Sequence, residues 1–227
     1  MIRSIGHIAL ALSLAACSGN GSSQEPVPTM TGKHVTIIHG YVASPQDHWF
    51  PWLKAKLEAQ GAEVAVLALP DSANPRADAW LAYLKANIHH HDRNSYFVAH
   101  SLGCITLLRY LDGLDQPTPI GGFVLVSGFA DSLSLLPQLD DFTREPLNYP
   151  HLTGLAMRRS VIASRNDPVV PYRQTAALSR SLKAELHSID HGGHFLGSEG
   201  FTELPPVYDE LARMIRHKYG DTEVSIR

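Results

Sequence analysis

Short hydrophobic runs alternate along this chain with longer segments of helical period. Six of the runs are predicted to be β-strands because they are short and bounded by turn residues. They lie at residues 34–38, 63–69, 95–98, 122–126, 160–163 and 184–189. Five segments between and after them are predicted helices, at residues 46–60, 76–88, 102–111, 172–182 and 204–218. Strands that alternate with helices indicate an α/β protein, with a parallel sheet covered on both faces.

One internal stretch departs from this alternation. Residues 131–157 contain Pro137, Pro146 and Pro150 and show no clear period. The stretch lies between two predicted strands, on the side where the loops of an active site gather. We therefore expect a lid or a substrate-binding insert there.

The N-terminal residues are not expected to belong to the fold. After Arg3, an apolar run too short to span a bilayer leads to Leu-Ala-Ala before Cys17, which fits a secretory signal. This end of the run resembles the lipobox of bacterial lipoproteins. We predict a signal peptide at residues 1–16, a lipidated Cys17 with a flexible tether at residues 17–32, and a catalytic domain at residues 33–227.

The predicted location follows from this segment. A lipid on Cys17 would hold the protein at the bacterial cell envelope, facing the periplasm, and Ser18 after the cysteine favours the outer membrane. The alternative is an ordinary signal that is cleaved nearby and releases a soluble periplasmic protein. The membrane contact is thus predicted to be the lipid anchor.

Composition excludes several classes of function. Hydrophobic residues make up 44% of the 227 residues and charged residues 18%, which is typical of a folded globular chain. The net charge of −3 and the lack of a Lys/Arg-rich run argue against a nucleic-acid partner. The two cysteines cannot build a disulfide framework, and Cys104 is predicted to be a small buried side chain. No cofactor and no obligate protein partner are expected.

A serine stands at the apex of a predicted strand, sharp turn and helix. Residues 99–103 read AHSLG and directly follow the apolar run YFV. The turn needs small residues on both sides of the serine; Gly103 satisfies this, and Ala99 replaces the more usual glycine. A serine is a weak nucleophile until a base, itself oriented by a third group, activates it. We therefore predict that Ser101 is a nucleophile.

The partners of this serine are expected later in the chain, the acid before the histidine. Asp167 follows the predicted strand at 160–163, where open parallel sheets place functional groups. Residues 191–195 read HGGHF, and the glycines allow the loop to bend toward the serine. His191 and His194 are both candidates for the base that takes the serine proton and returns it to the leaving group.

The loop after the first strand is expected to complete the site. Residues 39–41 read HGY, and an oxyanion hole needs backbone N–H groups aimed at the developing charge. The predicted donors are the N–H groups of Tyr41 and Leu102. The residues predicted to contact the substrate are His39, Gly40, Trp49 and His100.

Other histidines raise the question of a metal. Residues 89–91 read HHH at the end of a predicted helix, but no carboxylate-rich partner is evident, which favours a solvated helix end. His187, Asp190 and His191 lie near His194, yet a zinc site there would leave Ser101 without a role. No metal site is predicted.

Several motifs resemble one family closely. Residues 39–41 (HGY) and the aromatic block HWFPWL at 48–53 are similar to the small serine hydrolases of the retinoblastoma-binding-protein-9 and YdeN type. The same holds for AHSLG, for residues 164–171 and for GHF at 193–195, and the resemblance covers roughly residues 33–216. It implies an α/β-hydrolase fold with a mostly parallel six-stranded sheet and a minimal cap. It also implies a triad of Ser101, Asp167 and His194, which favours His194 over His191.

These residues predict a serine hydrolase, carboxylesterase-like or peptidase-like, that cleaves a small-molecule ester or activated amide through an acyl-enzyme. Small acyl chains are favoured because little cap sequence is present to enclose a long one. Two alternatives stay open. One is a catalytically silent binding protein of the same fold at the cell envelope. The other is an acyltransferase, which would use the same acyl-enzyme.

Overall fold

The computed structural model describes residues 29–114 and 118–216, and these form a single parallel sheet with helices on both faces. The strands are β1 (His34–Ile38), β2 (Glu63–Leu67), β3 (Ser95–His100), β4 (Gly122–Val126), β5 (Arg159–Ser164) and β6 (Glu185–Ile189). The helices are α1 (Phe50–Glu58), α2 (Ala77–Asn87), α3 (Leu102–Asp112), α4 (Tyr149–Leu155), α5 (Tyr172–Ser181) and α6 (Pro205–Arg216). The predicted α/β-hydrolase fold is confirmed, and every strand pairing in the sheet is parallel.

The order of the strands locates the site. Across the sheet they run β2-β1-β3-β4-β5-β6. The strands after β1 are thus added first on one side of it, as β2, and then on the other side, from β3 onward. Loops that leave the carboxyl ends of two strands on either side of such a switch point diverge and open a crevice between them. The loops after β1 and β3 are the two that carry HGY and AHSLG.

The sheet is buried on both faces, which explains why its central strands read as unbroken apolar runs. In β3, Phe97 packs with α2 and α3 in one core cluster, while Val98 packs with α1 and α6 in the other. Both side chains are fully buried. A strand that alternated apolar and polar residues would leave a polar group in one of these cores, at a cost of a few kcal/mol without a partner.

The stretch at residues 131–157 is more regular than predicted. It contains a 3-10 helix (Pro137–Phe142) and α4, and it packs on the core through Leu139, Phe142 and Leu152. Each of these helices has a proline in its first turn, where the missing N–H costs no hydrogen bond. Two of the three prolines that suggest an irregular loop, Pro137 and Pro150, therefore begin helices.

Two predicted boundaries also move. Helix α1 begins at Phe50 rather than at residue 46, because Asp47 accepts hydrogen bonds from the Ser44 N–H and hydroxyl and closes a turn. His48 then has a positive φ of 56°, which a helix does not allow. At the N-terminus, Met30 was placed in the tether but is buried in the core, and its N–H donates to the Gln60 carbonyl.

The predicted signal peptide, Cys17 and the tether up to residue 28 lie outside the described residues. Within the described part of the chain, no helix combines the length and the apolar character that crossing a membrane requires.

Candidate active site

Ser101 occupies a strained turn between β3 and α3. Its φ of 52° and ψ of −122° are unusual for a residue with a side chain, and such a conformation costs roughly 1–3 kcal/mol. The Ser101 N–H donates to the Val126 carbonyl at 2.9 Å, which fixes the turn against β4. A Cβ at position 103 would lie 2.5 Å from the His39 carbonyl oxygen, so only glycine fits there. The turn lifts the hydroxyl above the end of the sheet, as the sequence predicted.

The serine, a histidine and an aspartate touch in series. His194 Nε2 lies 3.0 Å from Ser101 Oγ, and His194 Nδ1 lies 2.9 Å from Asp167 Oδ2. The side chains of His194 and Asp167 are 6% and 1% exposed, so water competes little for these contacts. Because the carboxylate accepts from Nδ1–H, the lone pair of Nε2 faces the serine hydroxyl. The arrangement can pass a proton from Ser101 to His194.

The carboxylate of Asp167 is held by backbone and side-chain donors. Its Oδ1 accepts from the N–H groups of Val169 and Val170, both at 2.9 Å, in the loop that Asp167 itself begins. Its Oδ2 accepts from the Ser127 hydroxyl at 2.7 Å. Ser127 follows β4 with a positive φ of 48° and is fully buried. Sequence reasoning missed Ser127, although a serine directly after a buried strand, beside the one that bears the acid, was the available signal.

The loop that carries His194 is fixed along its backbone. The Glu199 carboxylate accepts from the N–H groups of His194 and Leu196, at 2.8 and 3.0 Å. Three further N–H groups of the loop donate to side chains, those of Gly192 to Ser164, Gly193 to Asn166 and Gly197 to His48. These hydrogen bonds fix the backbone of the loop, so the imidazole of His194 is held in one orientation. His191, the competing candidate, is exposed, and no contact joins it to Ser101 or Asp167 in the described part of the chain.

Two backbone donors lie free beside the serine. The Leu102 N–H is the first of α3 and has no acceptor within the helix, and the Tyr41 N–H has no acceptor among the described residues. Gly40 brings their two loops together, since a Cβ at position 40 would lie 2.9 Å from the Ser101 Cβ and 3.5 Å from the Leu102 nitrogen. The N-terminus of α3 adds a positive partial charge at the same place. These donors can stabilise a negative oxygen on a group attached to Ser101.

His39 does not face this crevice, and its prediction as a substrate contact is wrong. It is 1% exposed, its Nε2 accepts the Leu69 N–H at 3.1 Å, and its Nδ1 lies 2.9 Å from the Gly40 carbonyl oxygen. Both ring nitrogens are thus engaged, and the Nε2 contact joins the segment after β1 to the segment after β2. Burial lowers the pKa of His39, which favours this neutral form.

His100 and Trp49 are likewise wrong as substrate contacts, because both lie beneath the site. His100 is 1% exposed, and its Nε2 lies 2.9 Å from the His194 carbonyl oxygen, to which it can donate. Trp49 and Phe50 are fully buried, with ring centroids 6.0 Å from that of His100. Burial holds the pKa of His100 well below its usual value. Trp49 and Phe50 therefore pack against His100, which in turn contacts the backbone of His194.

Cys104 is buried, as predicted. Its Sγ lies 3.2 Å from the Ala99 carbonyl oxygen, and burial raises the pKa of the thiol far above its usual value. The thiol is therefore neutral and takes no part in the chemistry of Ser101.

A parallel six-stranded sheet with a serine at the sharp turn after its third strand defines the class of α/β-hydrolases. The family model described as serine hydrolase matches residues 35–213, and the chain belongs to this family. It is similar to YdeN of Bacillus subtilis, with 46% identity over 179 residues, 79% of this chain and 94% of YdeN. The crystal structure of the ydeN gene product has a TM-score of 0.79 at 44% identity, covering 82% of this chain and all of that one.

Two more distant similarities agree with this assignment. Serine hydrolase RBBP9 of Rattus norvegicus is 22% identical over 170 residues, 74% of this chain and 84% of RBBP9. Est1E of Butyrivibrio proteoclasticus is 14% identical with a TM-score of 0.64, covering 84% of this chain and 93% of Est1E, and so shares the fold.

Proposed function

We propose that this serine hydrolase cleaves esters or activated amides through an acyl-enzyme on Ser101. The observation that carries the proposal is the contact series, with Ser101 Oγ 3.0 Å from His194 Nε2 and His194 Nδ1 2.9 Å from Asp167 Oδ2. The first distance allows proton transfer from Ser101 to His194, and the second allows Asp167 to orient the imidazole, both without movement of a loop. Membership of the serine hydrolase family supports the same chemistry.

The reaction proceeds in two halves. Ser101 Oγ attacks the carbonyl carbon while its proton passes to His194 Nε2, and the carbonyl oxygen takes the negative charge. The intermediate collapses, His194 returns the proton to the leaving alcohol or amine, and the acyl group stays on Ser101. Water then repeats the sequence, with His194 as base and Ser101 as leaving group. Asp167 stays ionised throughout and stabilises the imidazolium that forms in each half.

The oxyanion is received by the N–H groups of Tyr41 and Leu102. Both belong to the backbone of loops that pack against each other at Gly40, so they need no rearrangement as charge develops. Losing one such donor typically costs about 10²–10³ in kcat. Changing a side chain cannot remove a backbone donor. A substitution at Gly40 is therefore the better test of their role. A Cβ there would lie 2.9 Å from the Ser101 Cβ and would push the two loops apart.

Small acyl groups are the proposed substrates. The segment between β4 and β5 is the longest insert among the described residues, and it buries Phe142 against Trp80 on the α2 side of the sheet. Most of its large apolar residues pack on the core, with Leu135 at 70% exposure as the exception, so few are left to enclose a long chain over Ser101. Turnover of p-nitrophenyl esters from acetate to palmitate, beside aminopeptidase substrates, tests this preference.

A fluorophosphonate probe tests the nucleophile directly. The wild-type protein should be labelled once, and Ser101→Ala should not be labelled. Ser160→Ala is the matched control, because Ser160 is also fully buried on the sheet but bonds to Glu210 and should leave labelling intact. Equal labelling of wild type and Ser101→Ala, or labelling of neither, would sink the proposal. A faster reaction with added alcohols or amines than with water would instead indicate acyl transfer.

We further propose that Cys17 carries a lipid that holds the enzyme at the periplasmic side of the envelope. The support is the sequence alone, an apolar run that ends in Leu-Ala-Ala-Cys followed by a Ser/Gly-rich segment. Fractionation of cells is expected to find wild type with membranes and Cys17→Ala in the soluble fraction. Soluble wild type would favour a cleaved, periplasmic protein.

A further inference from the structure

A second group of polar side chains lies at the amino ends of the strands, opposite to the end that carries Ser101. His34 begins β1 and pairs in register with Glu63, which begins β2. His90, in the segment between α2 and β3, lies with its ring parallel to that of His34, at 3.6 Å between centroids. The fold thus supplies the carboxylate that the histidine tract at 89–91 lacks in the sequence.

The three side chains bring possible metal ligands close together. One ligand atom from each of His34, Glu63 and His90 lies within 4.8 Å of the other two. They line a cavity of about 260 Å³ together with Asn87 and the short apolar side chains of β1 and β2. Two imidazoles and one carboxylate form a donor set that zinc accepts, with water in the remaining position.

The Nδ1 atom of His34 provides an independent observation. It is buried and makes no hydrogen bond, although Glu63 Oε2 lies only 3.0 Å away. The carboxylate is therefore near the nitrogen without being aligned with its N–H direction. Two donors bound to one zinc ion at about 2.1 Å would be about 3.0–3.4 Å apart for angles of 90–110°. The separation observed matches that of two ligands of one ion.

A second cluster with similar composition differs in one decisive respect. Glu185, His187 and Glu210 also bring three ligand atoms together. Arg213, however, donates to both carboxylates, with its Nη2 2.6 Å from Glu185 Oε2. A guanidinium already neutralises these acids, so a metal ion would have to displace it. The second cluster serves as an internal control.

We propose that His34, Glu63 and His90 bind a zinc ion that joins the starts of β1 and β2 to the segment before β3. A metal bonds in the plane of an imidazole, so the two rings cannot both bind in their stacked position. His90 is exposed and turns out of the stack when the ion enters, while His34 stays in place. The site lies at the amino ends of the strands and Ser101 at the carboxyl end of β3, so the ion stabilises the fold and takes no part in hydrolysis.

Titration of the full-length, metal-free chain with Zn²⁺ in a calorimeter tests the proposal. We expect one saturable site, weakened more than tenfold in each of His34→Gln, Glu63→Gln and His90→Gln. Glu185→Gln and His187→Gln, the matched controls, should bind as wild type. Circular dichroism verifies that each variant is folded, and Glu63 and His90 are exposed enough to be replaced without loss of the core.

Thermal unfolding adds a readout that adventitious surface binding would not reproduce. Zn²⁺ is expected to raise the melting temperature of wild type and of the control variants, but not that of Glu63→Gln. Absence of a saturable site in wild type would overturn the proposal, as would wild-type affinity in Glu63→Gln. Hydrolase activity does not enter either measurement, so the outcome is independent of the proposed function.

Discussion

The two ends of the sheet each place a histidine beside a carboxylate, with opposite surroundings. At the carboxyl end, the side chains of His194 and Asp167 are 6% and 1% exposed, and four donors converge on the carboxylate. At the amino end, the side chains of His34 and Glu63 are 21% and 72% exposed, and the buried nitrogen of His34 has no hydrogen bond. Residue type alone does not distinguish the two pairs.

The difference lies in what each pair needs from the fold. A general base must keep one tautomer and one direction through the reaction, so its neighbours have to fix it in advance. The free energy of metal binding can itself order ligand side chains that are loosely placed without the ion. Neighbouring hydrogen bonds, more than the pair itself, indicate which chemistry a histidine–carboxylate contact serves.

Replacing one histidine at each end of the sheet should give the largest difference in activity. His194→Gln removes the proposed base, and kcat/KM for p-nitrophenyl acetate is expected to fall by at least about 10⁴-fold. His34→Gln, 21% exposed and at the far edge, should stay within about twofold of wild type. A folded His194→Gln variant that is as active as His34→Gln would contradict the assignment of His194.

Removing one supporting donor should have a smaller effect. Ser127→Ala deletes the hydrogen bond to Asp167 Oδ2 and lets the carboxylate shift against His194. Because a misplacement of about 1 Å can cost about 10²-fold, kcat should fall by up to about 100-fold with little change in KM. Ser160→Ala is the control, since it deletes a 2.7 Å bond from a fully buried serine to Glu210 away from the site. If both variants lose stability alike and neither loses kcat, Ser127 has only a structural role.

Acid should weaken the fold through the histidines buried beneath the site. Burial lowers the pKa of His100 well below 6.5, and that of His39 below the same value. Below about pH 6.5 the unfolded chain takes up protons that the folded chain does not, so the free energy of unfolding decreases as the pH is lowered. Above about pH 6.5 these histidines are neutral in both states, and stability does not depend on them. Each histidine contributes up to about 1.4 kcal/mol per pH unit.

Urea unfolding between pH 8 and pH 5 measures this dependence. The free energy of unfolding should be flat at the upper end and decline below about pH 6.5. His100→Gln should reduce the slope by about one proton, whatever its effect on stability at pH 8. A free energy that stays constant down to pH 5 would mean that neither histidine is held neutral by the fold.

Most of the secondary structure could be predicted because it depends on local pattern. All the strands except β6 (ELHSI) are short runs rich in apolar residues, and the five longest helices carry their own period. Helix α4 is not expected from the sequence, because its proline favours a loop, whereas the first turn of a helix accepts proline. The start of α1 was missed because the Asp47–Ser44 turn competes with the helix for the same residues.

The candidate site was predictable to the extent that it follows from topology. Serine, acid and histidine each lie in the segment that follows a strand, and the carboxyl ends of parallel strands meet at one end of the sheet. The contacts among Ser101, Asp167 and His194 follow from that placement. Ser127 and Glu199 were not found, because a serine or glutamate in a loop has no pattern that shows which distant group it will bond.

Neighbours along the chain set the order of strands and helices, the two apolar faces of the sheet and the positions from which the chemical groups project. No such local pattern indicates that His39, Trp49 and His100 are buried in the core or that His34 meets Glu63 and His90. The direction of a side chain in a loop or at a strand end depends on partners far away in the sequence, and packing chooses them after the elements have formed.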